Sequence, residues 1–153
     1  FVQAGAAHPD VGTLAALCAT LVATPSLAVT DPASGGISGT AVQRILFDLH
    51  LADLLAPKLR LGRPGWQPTQ QVAAGKAALG IVQLSEVLAA PGIELAGTLP
   101  EALQPDTHFC AAVLAQATAA RAARNCLAAL RAPEAETTMR ALGLLPVDPT
   151  RRS

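Results

Sequence analysis

Two spacings of apolar residues alternate along the chain. Leu27, Ala28 and Val29 form a short continuous apolar run, as in a buried strand, while Val42, Ile45, Leu46 and Leu49 recur at helical spacing. Between them lies a turn of small and polar residues, from Thr30-Asp31-Pro32 through three glycines to Thr40. This stretch predicts a strand, a glycine-rich loop and the start of a helix that runs to about His50.

The alternation continues on both sides. Residues 1–4 suit a short strand. Thr13 can cap a helix over 14–22 that is apolar almost all round and should be well buried. Residues 52–56 form one more helical turn, halted by Pro57, and 58–61 alternate as a half-buried strand does. A helix is expected over 70–74, ended by Gly75. A strand follows over 79–84, whose apolar character suits a buried parallel position. A turn or short helix covers 85–88, and strands are expected over 93–99 and 107–115. Residues 119–130 predict an Ala-rich helix with Arg121, Arg124 and Arg131 on its solvated side. Pro133 opens a last helix over 134–142, with Glu134 and Glu136 near its positive end. Residues 148–153 look frayed. Strands alternating with helices argue for an α/β fold, a mostly parallel sheet flanked by helices.

Composition narrows the function. The chain has 153 residues, enough for one domain or two small lobes. It is 51% apolar and only 14% charged, yet no run has the length and purity of a membrane span, so no membrane insertion is expected. Formal net charge is zero and aromatics are 3%, which removes both the basic footprint and the stacking platforms that nucleic acid needs. The odd count of cysteines, Cys18, Cys110 and Cys126, argues against a disulfide framework, and their spacing fits no metal site; they read as small buried hydrophobes. The opening Phe1-Val2-Gln3 has no Met, no basic segment and no cleavage signal, as in a mature chain, a fragment or an excised piece.

Three loops leave the carboxyl ends of predicted strands: 31–40, 63–69 and 83–86. Ligands of open α/β sheets gather at that edge. Two of these loops enter helix N-termini, at Ser38 and Thr69, where backbone N–H groups and the helix dipole suit an anion. Taken alone, the first loop reads first as a tight turn with an N-cap. It has neither the Gly-Lys-Ser/Thr ending of a P-loop nor Gly-x-Gly-x-x-Gly. Arg63 is a solvated loop residue or a charge for the anion, and Trp66 lines a cleft or packs on its own loop. Asp31 reads as a turn residue. His8, His50 and His108 are scattered, and no Gly-x-Ser-x-Gly elbow is present, so an α/β hydrolase or transferase has the least support and no catalytic residue is assigned. No cofactor or metal is expected.

The order of these features resembles the molybdate-binding type of periplasmic solute-binding proteins, a type 2 periplasmic binding protein fold. The resemblance rests on 28–39 (Ala-Val-Thr-Asp-Pro-Ala-Ser-Gly-Gly-Ile-Ser-Gly), on 72–81 (Val-Ala-Ala-Gly-Lys-Ala-Ala-Leu-Gly-Ile), on Gln83-Leu84-Ser85-Glu86, on 91–100 and on the closing stretch 132–144. It implies two α/β lobes joined by two hinge strands, with the solute between them. On that map 6–92 is the ligand-binding lobe, while 1–5 and 93–153 supply the hinge strands and the remaining part of the partner lobe. The resemblance implies ligand contacts from Ser34, Gly35, Gly36, Ile37 and Ser38, from Pro68, Thr69 and Gln70, and from Gln83 and Ser85. Glu86 beside an oxyanion would be unfavourable unless it points away. The N-terminal half of the family's first lobe has no counterpart here, so apolar faces in 107–142 would lack their usual cover, and a homodimer or a fragment of a larger chain is expected. The implied function is a periplasmic, non-enzymatic solute-binding protein for a small anion, partnered with an ABC transporter permease. The alternative is the ligand-sensing effector domain of a transcription regulator.

Overall fold

The computed structural model describes residues 1–105 and 107–146, and the frayed end expected at 148–153 lies outside them. The chain divides into two compact units, Phe1–Pro105 and Asp106–Ser153.

The first unit is built around a strand buried on both faces. β2 (Leu27–Thr30) is shielded at all four positions. It pairs in parallel with β3 (Leu59–Gly62) on one side and β4 (Leu79–Ile81) on the other, giving the order β3-β2-β4. Leu27 and Val29 point into one core cluster, with Leu17 and Leu21 of α1 (Leu14–Ala23), Val42 and Leu46 of α2 (Ile37–Asp48) and Leu55 of α3 (Ala52–Leu55). Ala28 points the other way, into a second cluster with Phe1, Ala77, Val72 of α4 (Gln67–Ala73) and Val87 of α5 (Leu84–Leu88). The two-residue period of the strand therefore feeds two helical layers, one on each face. The α/β class with helices flanking a parallel sheet is the architecture observed.

A second, antiparallel pair joins β1 (Val2–Gln3) to β5 (Ile93–Glu94). Phe1 and Gly80 exchange two backbone hydrogen bonds of 2.9 Å, which ties this pair to the edge of the parallel sheet at β4. The strands expected over 1–4 and 93–99 are thus only two residues each. After β1 the Ala4 N–H still donates to the Gly92 carbonyl, and Gly5 then turns the chain away at φ 78°.

Other boundaries differ for local reasons. α1 is capped by the Thr13 hydroxyl as expected, but it buries only Leu17 and Leu21 and leaves Leu14 and Val22 half exposed, so its apolar girdle is not matched by all-round burial. α4 starts at Gln67, three residues before the expected 70. The Gln67 side-chain oxygen accepts the Arg63 N–H at 2.6 Å, and Pro68 suits the first turn. β4 stops at Ile81, and Leu84 already belongs to α5.

The second unit contains α6 (Ala120–Leu130) and α7 (Pro133–Ala141). Arg121, Arg124 and Arg131 are exposed as the pattern implies. No strand forms over 107–115: among the described residues no partner pairs with it, and an unpaired strand leaves its backbone groups unsatisfied. None of the described residues in this unit is buried, and Phe109, Leu114 and Leu145 are largely exposed. The cysteines correct the sequence expectation as well: all three are free, Cys18 is only partly covered, and Cys110 and Cys126 are exposed. Among the described residues no helix is long and apolar enough to cross a membrane.

Candidate functional site

The parallel register places the ends of the central strands side by side. Thr30 pairs with Gly62 and Val29 with Ile81, so the loops 31–36, 63–66 and 82–83 all leave one edge of one sheet. The first loop begins with Asp31, whose N–H donates to the Gly62 carbonyl at 2.7 Å and whose carboxylate accepts the Ala33 N–H. Asp31 is therefore a turn residue that caps a single 3-10 turn over Pro32–Ser34. Gly35 closes that turn in the left-handed region at φ 78°, a conformation that costs a side-chain-bearing residue about 1–2 kcal/mol.

Gly36 then starts α2. No side chain caps this helix. The first N–H groups of a helix have no acceptor within it, so those of its opening turn stand available to an anion at the positive end of a 12-residue dipole. Close packing makes this geometry possible. A Cβ on Gly36 would lie 2.5 Å from Thr30 Cγ2 and 3.1 Å from Pro64 Cγ, which brings the first and second loops into contact. Gly39, one helical turn on, lets the helix sit directly on the Thr30 carbonyl.

Side chains sort by how they are already used. The Ser38 hydroxyl donates to Thr30 Oγ1 at 2.9 Å, and that buried hydroxyl fixes the rotamer of Ser38 beside the helix start. The Ser34 hydroxyl donates back to the Asp31 carbonyl. In the second loop, Pro68 and Thr69 are buried; the Thr69 hydroxyl donates to the Trp66 carbonyl at 2.8 Å, and Gln70 is exposed with its N–H on the same carbonyl. Trp66 itself is 55% exposed, and Arg63 is exposed. In the third loop, Gln83 occupies the N-cap of α5 without a side-chain bond to it, and Ser85 is partly covered. Ile37 is exposed at the first position of α2.

Glu86, in the first turn of α5, is the titratable outlier of this edge. Its Oε2 is shielded from solvent without a hydrogen-bond partner among the described residues, and burial pushes the carboxyl above the usual carboxylate range. The sequence marks the position but not the burial. The sequence shows Gly39 as one of the loop glycines but assigns no part to Thr30 or Pro64, because their parts in the site are contacts between segments rather than motifs.

A cavity of about 450 Å³ lies away from these loops, between Pro9–Gly12 and Ala96–Gln104. None of the sequence-predicted site residues lines it. Its polar groups are largely committed: the Asp10 carboxylate accepts the Gly12 N–H and the Gln104 amide donates to the Leu99 carbonyl. With Asp10 and Glu101 on its wall it is the poorer host for an anion, and the sheet edge is the stronger candidate. Among the described residues no group of three or more His, Cys, Asp or Glu side chains is arranged to hold a metal ion.

Comparison with known proteins bears on the family and the fold. Residues 1–145 match the family described as bacterial extracellular solute-binding protein. A Pseudomonas protein named aconitate isomerase is 35% identical over 147 residues, covering 95% of this chain and 54% of its own length. The periplasmic molybdate-binding protein of Azotobacter vinelandii superposes with a TM-score of 0.62 at 18% identity, over 92% of this chain and 62% of that structure. The chain thus spans about half the length of the curated relative it matches.

Proposed function

Since the chain belongs to the bacterial extracellular solute-binding protein family, we propose that it binds a small anionic solute at the carboxyl edge of the β3-β2-β4 sheet. The observation that carries this reading is the uncapped start of α2, laid against Thr30 and Pro64 by Gly36 and Gly39. Backbone N–H groups there hold an anion without a fixed counter-charge, which suits a carrier that must also release its cargo. Ser34, Gly35, Gly36, Ile37 and Ser38 form the principal contact loop in this reading. Gln70, Gln83 and Ser85 stand on the flanking loops. Pro68 and Thr69 support the second loop from below, because both are buried.

The ligand class follows from the relatives. Aconitate is a tricarboxylate and molybdate an oxyanion, and both are small, multiply charged and rich in acceptor oxygens. The closer sequence match favours an organic carboxylate. The remaining parts of the reading are a location outside the cytoplasmic membrane, delivery to an ABC-type permease, and residues 6–92 as the binding lobe. The pair β1 and β5 acts as part of a hinge, and a second copy or a further stretch of protein covers the exposed apolar residues of the second unit.

The test is thermal unfolding with molybdate, tungstate, sulfate, phosphate, citrate and aconitate. A ligand at about a hundred times its Kd adds roughly 2.7 kcal/mol and a clear rise in Tm. No shift with any of these anions would refute the anion reading. A second reading, that the chain also converts its ligand, is favoured by the name of the 35% identical relative. Interconversion of aconitate isomers, followed by proton NMR with purified chain, decides it: turnover supports catalysis, and binding without turnover supports a carrier.

A further inference from the structure

The two segments that leave the β1–β5 pair run side by side. Val2 faces Glu94 in that ladder. Beyond β1 the chain makes a tight turn, in which the Ala6 N–H donates to the Gln3 carbonyl at 3.0 Å and Gly5 adopts φ 78°. The turn brings Gly5 and His8 onto the Glu94 side chain. One carboxylate oxygen accepts the Gly5 N–H at 3.2 Å, and the other lies 3.0 Å from His8 Nε2. A carboxylate only accepts, so Nε2 carries the hydrogen of that contact. Three residues on, the segments meet again: a Cβ on Gly97 would lie 2.6 Å from Val11 Cγ2. The cavity of about 450 Å³ opens between these same segments, with Pro9–Gly12 on one wall and Ala96–Gln104 on the other. Glu94 therefore ties the two together where both cavity walls begin. Other charges around the pair are few. α4, which packs on both β1 and β5, carries none, and neither does β4, which packs on β1. α5 brings Glu86 toward β5, and burial holds that carboxyl above the usual carboxylate range. The Asp10 carboxylate is on the Gly12 N–H, the Phe1 ammonium is on the Gly80 carbonyl, and Lys76 is exposed in the turn after α4. Among the described residues His8 is the only basic side chain within ion-pair distance of Glu94.

We propose that His8 and Glu94 form a pH-sensitive clasp, fastened when the imidazole is protonated and the carboxylate ionised, which pins the segment leaving β1 to the segment leaving β5 at the start of the cavity. Each side of its pH range has its own cause. Hydrogen bonds, from His8 first and then from Gly5, hold the Glu94 carboxyl below the 4.5 ordinary for glutamate. The clasp is therefore in place above that value and is lost as pH falls through the lowered midpoint. On the alkaline side an imidazole ordinarily gives up its charge near about pH 6.5; the neutral ring keeps a hydrogen bond but no longer an ion pair, and the clasp slackens. Both side chains are about half exposed, so solvent screens the pair and the clasp is weak enough to open. If β1 and β5 serve as hinge strands, a fastened clasp stiffens the hinge, and that consequence alone rests on the solute-binding reading above.

A double-mutant cycle on the full chain tests the clasp without any solute. His8→Ala, Glu94→Ala and the double variant are unfolded in urea at pH 5.5 and at pH 8.5, after melting curves have checked that each folds. The expected coupling is roughly two- to fivefold in the unfolding constant at pH 5.5, shrinking toward none at pH 8.5. Carbon NMR of the parent supplies a second readout: the Glu94 carboxyl should titrate below the ordinary glutamate range and return toward it in His8→Ala. No coupling at pH 5.5, or the same coupling at both pH values, overturns the inference. So does an ordinary Glu94 midpoint in the parent, or a low midpoint that His8→Ala leaves unchanged. Because no anion takes part, these results hold whether or not the sheet edge binds one.

Discussion

Gly39 and Gly80 show how single residues set the site and the core. A methyl on Gly39 would meet the Thr30 carbonyl and Pro32 N, both backbone atoms that cannot rotate away. Gly39→Ala should therefore cost about 2–3 kcal/mol in urea unfolding, whereas Gly35→Ala, strained at φ 78° but facing open space, should cost about 1 kcal/mol. Gly80 lies flat beneath the Phe1 ring, and any side chain there would displace it. Phe1 carries a second consequence. Its ammonium donates to the Gly80 carbonyl inside the sheet, and burial lowers its pKa from 8.0 to about 6. The unfolded amine thus holds its proton more tightly than the folded one. For a chain beginning at Phe1, stability is fully present above pH 8 and declines as pH falls from 8 to 6, with no further loss from this group below 6. The decline is up to about 2–3 kcal/mol, and it should vanish from denaturant curves when the terminus is acetylated. At this scale the loop was legible: Gly, Ser, Asp and Pro in that order announce a turn and a helix start. The Thr30–Ser38 hydrogen bond and the solvent-shielded Glu86 oxygen were not, because both depend on neighbours that local sequence does not name.

Elements succeed or fail by what they find beside them. α2 starts where the glycine-rich loop predicts, and its lack of a side-chain cap is what leaves N–H groups for a ligand. Gly36→Ala tests this. Its methyl presses on Thr30 Cγ2 and Pro64 Cγ, so the loop and helix start must part by several tenths of an ångström. The expected cost is about 1–2 kcal/mol of stability, together with loss of most of the anion-induced rise in Tm, read in the same melting assay. A variant that loses the stability but keeps the full ligand shift would place the anion elsewhere. The expected strand over 107–115 failed for the opposite reason. Its residues are small and apolar, but a strand is stabilised by its ladder, and none is offered among the described residues. α1 has apolar residues on nearly every side, yet only one face meets the sheet.

For the whole molecule, burial is concentrated in the first unit. Every residue of both core clusters lies within Phe1–Pro105, and the described part of the second unit has no buried side chain. Ordering a residue costs about 1–2 kcal/mol of backbone entropy, which α6 and α7 do not offset by a core of their own. Truncation after Pro105 should leave Tm within a few degrees of the full chain. A peptide spanning 107–146 should show little helix by circular dichroism unless a partner covers Phe109, Leu114 and Leu145. Concentration-dependent sedimentation of the full chain tests whether a second copy supplies that cover. The family and its α/β architecture were readable from the order of strands, loops and helices, since periodicity and the preferences of Gly, Pro, Ser and Asp act within a few residues. Only the tertiary structure decided which apolar faces are covered and that one carboxyl oxygen of Glu86 is shielded without a partner. Those outcomes rest on contacts between segments far apart in the chain, and the free energy of burying or pairing a group is set by the partner that arrives, not by the residue that waits for it.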